Sequence, residues 1–118
     1  MGLNTNDAAA FPARGRSYEA KFGDLAFRLD FDADGKRMTF SAIGAKASVS
    51  ANESGSQTIS YTAVPIRPDV FLVYWQEAGG TTVTHVEDFG RNRVYSNITT
   101  PEGTFLNLAG DFTPISTP

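Results

Sequence analysis

The chemistry this sequence could carry gathers around one histidine. His85 is the only imidazole in the 118 residues, Glu87 follows it by two positions, and Glu77 precedes it across Gly79-Gly80. Residues two apart on a strand share a face. If Ala78-Gly79-Gly80 forms a three-residue hairpin loop, Glu77 faces Thr81, Trp75 faces Val83, Val73 faces His85 and Phe71 faces Glu87. The apolar members make this the inner face, so Glu77, His85 and Glu87 would project into an apolar lumen beside Trp75. A loop of two or four residues would separate Glu77 and His85, and a polar outer face is then the reading of the His85 strand. Inside a lumen, carboxylates resist ionisation and a neighbouring imidazole opposes that resistance. Such groups donate and accept protons near neutral pH. Glu77, His85 and Glu87 are therefore the candidate catalytic residues. One histidine falls short of the two that a carboxylate-assisted iron or manganese site uses, and the chain has no cysteine, so no metal and no cofactor is expected.

A second set of residues suits ligand contact. Trp75, Val73 and Phe71 would line the same face. Tyr61, Tyr95 and Asn97 add hydrogen-bonding groups on strands. Arg67 sits between Pro65 and Pro68, on a rim where it could meet an anion. Phe105 is a further apolar candidate.

The elements that must position these groups read as strands. Leu25, Phe27, Leu29 and Phe31 alternate with smaller or polar residues, and Met38, Phe40 and Ala42 do the same after a turn at Asp32-Ala33-Asp34-Gly35. Residues 45–49 form a candidate short strand, and residues 58–64 alternate Ile59, Tyr61 and Ala63 with hydroxyl residues. Val70-Phe71-Leu72-Val73-Tyr74-Trp75 is apolar on both faces and reads as a central strand. Residues 82–89, 94–99 and 104–112 complete a set of eight or nine strands joined by short turns. Consecutive hairpins favour an all-β fold, a single antiparallel up-and-down β-barrel of about eight strands. A barrel of that size fills with side chains or holds one small ligand. Residues 1–16 lack a period and read as a flexible N-terminal tail that could cover one end, with the barrel domain over residues 17–118.

Composition narrows the class further. The net charge of −3 is scattered, with no basic stripe, so no nucleic-acid partner is expected. No apolar run is long enough to span a membrane. The absence of cysteine and of a continuous apolar leader points to a cytoplasmic protein. The outer face of the central strand (Val70, Leu72, Tyr74) would need cover, which makes a homodimer a candidate assembly.

Residues 64–77, Val-Pro-Ile-Arg-Pro-Asp-Val-Phe-Leu-Val-Tyr-Trp-Gln-Glu, lead into Thr82-Val83-Thr84-His85-Val86-Glu87-Asp88-Phe89, then Val94-Tyr95-Ser96-Asn97-Ile98-Thr99 and Pro101-Glu102-Gly103-Thr104-Phe105. This run resembles the MoaF-like family, named for a protein associated with molybdenum-cofactor biosynthesis. The resemblance covers the C-terminal half well and the hairpin at residues 22–40 more loosely. It implies a calycin-type, lipocalin-like barrel of bacterial type. Trp75-Gln76-Glu77 is also similar to a Trp-x-Glu stretch of bacterial phenolic acid decarboxylases, which implies an interior acid/base role for Glu77. Those enzymes hold the substrate carboxylate with a Tyr-x-Tyr pair; here the corresponding stretch is Leu29-Asp30-Phe31, without a hydroxyl.

Three functions remain open at this point. The chain is a small-molecule-binding barrel with an aromatic lumen for an apolar or aromatic ligand. Alternatively it is a cofactor-independent lyase or isomerase using the interior Glu and His residues. Or it is a filled structural barrel that serves as an interaction module.

Overall fold

The computed structural model describes residues 11–43 and 55–115. They form eight strands: β1 (Ser17–Phe22), β2 (Leu25–Phe31), β3 (Arg37–Ile43), β4 (Ser56–Arg67), β5 (Val70–Gln76), β6 (Thr82–Asp88), β7 (Arg93–Thr99) and β8 (Phe105–Pro114). Each pairs antiparallel with the next, and β8 closes on β1, so the architecture is the expected up-and-down barrel. The candidate strand at residues 45–49 lies outside the described residues. No described helix is long and apolar enough to cross a membrane.

The alternating residues face as their pattern predicts. Tyr18, Ala20, Leu29, Phe31, Met38, Ile59, Tyr61, Phe71, Val73, Trp75, Val83, Val94 and Phe112 form the core. Full burial of one such side chain stabilises by roughly 1.5–3 kcal/mol. Strand β4 runs longer than its alternating stretch suggested. It continues through Pro65 to Arg67, where a register shift absorbs the proline that cannot donate to the ladder. The outer face of β5 carries Val70, Leu72 and Tyr74, of which Tyr74 is exposed.

The two ends of the barrel differ. At one end, residues 11–16 fold back across the opening and Phe11, 3% exposed, acts as a plug. Its ring meets Phe31, Tyr61, Phe71 and Phe89 at centroid distances of 5.4, 5.8, 5.1 and 5.5 Å. Most of these contacts are edge-to-face, the arrangement the ring quadrupoles favour. Ala13 is also fully buried. Part of the segment read as a tail thus closes the barrel. The opposite end carries the 77–81 and 100–104 turns and, among the described residues, is open.

Candidate functional site

The β5–β6 hairpin has the register that a three-residue loop requires. Phe71 pairs with Glu87, Val73 with His85 and Trp75 with Val83. The Glu77 amide donates to the Thr81 carbonyl at 2.7 Å, and Gly80 takes a positive φ of 103° to close the loop. Inner-face positions then follow automatically, and His85 and Glu87 face the lumen.

A cavity opens from the mouth down to His85. Its walls are Ala20, Phe22, Phe27, Leu29, Phe40, Trp75, Val83 and Ile98, with Glu77 at the rim and His85 and Ser96 at the floor. The space open to the centre of a water-sized sphere is about 50 Å³. That admits a few waters or a small ligand, since one water needs roughly 10–15 Å³ on this measure.

Below the floor sits a buried acid–base pair. The Nδ1 atom of His85 lies 2.9 Å from Glu87 Oε2. The side chains of His85 and Glu87 are 6% and 0% exposed. Burial pushes the Glu87 carboxyl up, and the hydrogen bond from His85 partly offsets that push. With Nδ1 engaged, Nε2 is the imidazole atom left for an occupant of the cavity. Among the described residues, Glu87 Oε1, Ser96 Oγ and the Tyr61 hydroxyl are buried without a hydrogen-bond partner. Such groups cost about 1–3 kcal/mol each when they stay unmet; of the three, Ser96 lines the cavity. Burial, with the nearby Glu87 charge second, raises the Tyr61 phenol to about 12, and it is therefore a neutral donor at physiological pH.

Glu77 stands apart from this pair. It is half-buried at the rim, and its carboxylate accepts a long hydrogen bond from Trp75 Nε1 at 3.4 Å. Burial raises its pKa, and the indole N–H lowers it in part. The Trp75 ring in turn meets His85 edge-on at 4.9 Å. The rim, the wall and the floor are thus linked through Trp75.

The remaining candidates separate by face and by end. Phe71, Val73 and Tyr61 point inward but pack in the core below the cavity, with Phe71 and Tyr61 against Phe11. Arg67 is exposed at the plugged end, away from the mouth. Tyr95 and Asn97 alternate with the inward Val94, Ser96 and Ile98, so they face outward; Asn97 accepts a hydrogen bond from Asn107 on the outer surface. Phe105 is exposed on the outer side of β8, at the mouth end. Sequence reasoning missed Ser96. Its alternation with Val94 and Ile98 was the available signal, but the larger polar groups of Tyr95 and Asn97 drew attention to the wrong face. Among the described residues, no group of three or more His, Asp or Glu side chains could hold a metal ion.

A family model described as MoaF-like matches residues 14–113, which spans β1 to β8 and the whole cavity. The chain belongs to the MoaF-like family. No curated protein matches it. Among solved structures it is similar to a crystal structure from Burkholderia vietnamiensis, provisionally named a beta-lactamase. The two share 25% identity and a TM-score of 0.79, over 88% of this chain and 96% of the other. The same barrel fold is therefore seen in a second protein at nearly its full length.

Proposed function

We propose that this MoaF-like chain is a small-molecule-binding barrel that takes a small apolar or aromatic ligand through its open end. One observation carries the reading: an aromatic-walled cavity descends from the rim to His85 and the buried, unpartnered Ser96 hydroxyl, while the opposite end is closed by Phe11. The absence of cysteine fits work in the cytosol. Trp75, the only tryptophan, reports on this cavity. Its fluorescence under titration with small aromatic compounds should quench saturably. Val83→Phe, which narrows the wall, should remove that response. A panel without response, together with blue-shifted Trp75 emission, would instead mark a filled barrel.

The His85–Glu87 pair favours a second reading, a cofactor-independent lyase or isomerase. A buried carboxyl that holds one imidazole nitrogen and leaves the other for an occupant is a proton-shuttle arrangement. Glu87→Gln then abolishes turnover of a bound substrate while sparing its affinity; in a pure binder only affinity changes. The lactamase name of the structural neighbour calls for a nucleophile. The floor hydroxyl, Ser96, makes no hydrogen bond to His85, so that activity is not carried over.

A further inference from the structure

We infer that the mouth of this pocket is a site for a small organic cation, an ammonium group carried on an apolar body. The inference rests on the small-molecule reading above and names its ligand class.

The charge inventory of the lumen comes first. Among the described residues, the cavity lining holds one carboxylate, Glu77, with the His85–Glu87 pair at and beneath its floor, and no Lys or Arg. Several arginines have partners on the outer surface or in turns. Arg28 pairs with Asp30, Arg37 with Asp34, Arg93 with Asp111, and Arg14 donates to the Ala33 carbonyl. A ligand carboxylate or phosphate entering this space would lose its hydration and find no Lys or Arg among the described lining residues to replace it. The hydroxyl-free Leu29-Asp30-Phe31 stretch adds nothing for it, since Leu29 and Phe31 are the residues of that stretch buried in the core.

The rim has the opposite preference. Glu77 is half-buried and, among the described residues, its carboxylate accepts the long indole hydrogen bond alone, so it has room for a stronger donor. Four aromatic rings line the same cavity. Trp75 and Phe40 lie 6.2 Å apart at 37°, and Phe22 and Phe27 lie 6.5 Å apart. Aromatic faces attract ammonium groups, tryptophan most strongly. Deeper in, Ser96 Oγ is 2% exposed by residue and unpartnered, which places a second polar contact at the far end of the cavity. The space of about 50 Å³ suits a small apolar body, with the charged head left at the rim. A neutral ligand could fill the apolar part but would leave Glu77 without a counter-charge.

The test varies head charge on one body. Benzylamine, benzyl alcohol and benzoate are titrated against the full chain at neutral pH, by Trp75 fluorescence and by calorimetry. Benzylamine should bind at least about tenfold more tightly than benzyl alcohol, from cation–π and ion-pair attraction, and benzoate should not bind. Glu77→Gln should remove the amine-over-alcohol preference. The wild-type ordering decides the matter even if that variant fails to fold. Alcohol binding as tightly as amine, benzoate binding best, or a preference that survives Glu77→Gln would each overturn the cation site while leaving the pocket reading intact. No binding by any of the three would overturn both.

Discussion

Gly110 marks the place where β8 meets the end of β1, and replacing it by alanine should open the barrel at that seam. A Cβ added there would stand 2.0 Å from the Lys21 carbonyl oxygen, 2.8 Å from its carbon and 2.9 Å from the Phe22 ring. The first two atoms are backbone, so no rotamer change relieves them. Moving the carbonyl to 3.0 Å, the shortest spacing real Cβ atoms show, requires β1 to shift by about 1 Å. The β1–β8 seam consists of four register pairs, Tyr18–Lys21 against Asp111–Pro114, with Lys21 the last of them. Such a shift should cost about two ladder hydrogen bonds at ~1 kcal/mol each, plus overpacking of ~1–3 kcal/mol. The expected loss is about 3–5 kcal/mol, or about 12–20 °C in Tm for a domain of this size. Urea unfolding of wild type and Gly110→Ala measures it. Gly79→Ala is the control, because a Cβ there meets nothing within 4 Å and its φ is not positive. Gly110→Ala within 1 kcal/mol of wild type would refute the close approach and with it the seam as described. Because Phe22 borders both the seam and the cavity, the same variant should also weaken ligand quenching of Trp75.

Two further perturbations test the ends and floor of the lumen. Phe11→Ala removes the plug ring from four aromatic neighbours and should cost about 3–5 kcal/mol in chemical denaturation; a loss below 1 kcal/mol would mean that the segment does not close the barrel in solution. Glu87→Gln should change the pH dependence of stability. Burial raises the folded-state pKa of Glu87, so its contribution is fullest below the unfolded value near 4.5 and is lost as pH rises through the folded value. Wild-type stability should therefore fall relative to the variant between pH 4 and 8 in parallel urea melts, and a difference that is flat or grows in favour of wild type would reject the buried carboxyl.

Period-two alternation was enough to determine most of the fold. Leu25, Phe27, Leu29 and Phe31 could bury together only on a strand, and short turns left consecutive antiparallel pairing as the economical topology. The hairpin register was not fixed by the sequence, since Gly79-Gly80 allows loops of two, three or four residues; the pairing of Trp75 with Val83 and Val73 with His85 in the folded barrel decided it. Tertiary structure alone decided what lines the cavity. Inward-facing residues divide between the plugged end and the open end according to how a separate segment folds across the barrel, and strand patterns say nothing of that. Phe71 and Tyr61 therefore became core against Phe11, while Trp75 and Glu77 became wall and rim. Ser96 gained its place for the same reason. Alternation with Val94 and Ile98 marks Ser96 as inward, but only the β6–β7 pairing sets it across from His85, and only the packed barrel leaves its hydroxyl buried without a partner.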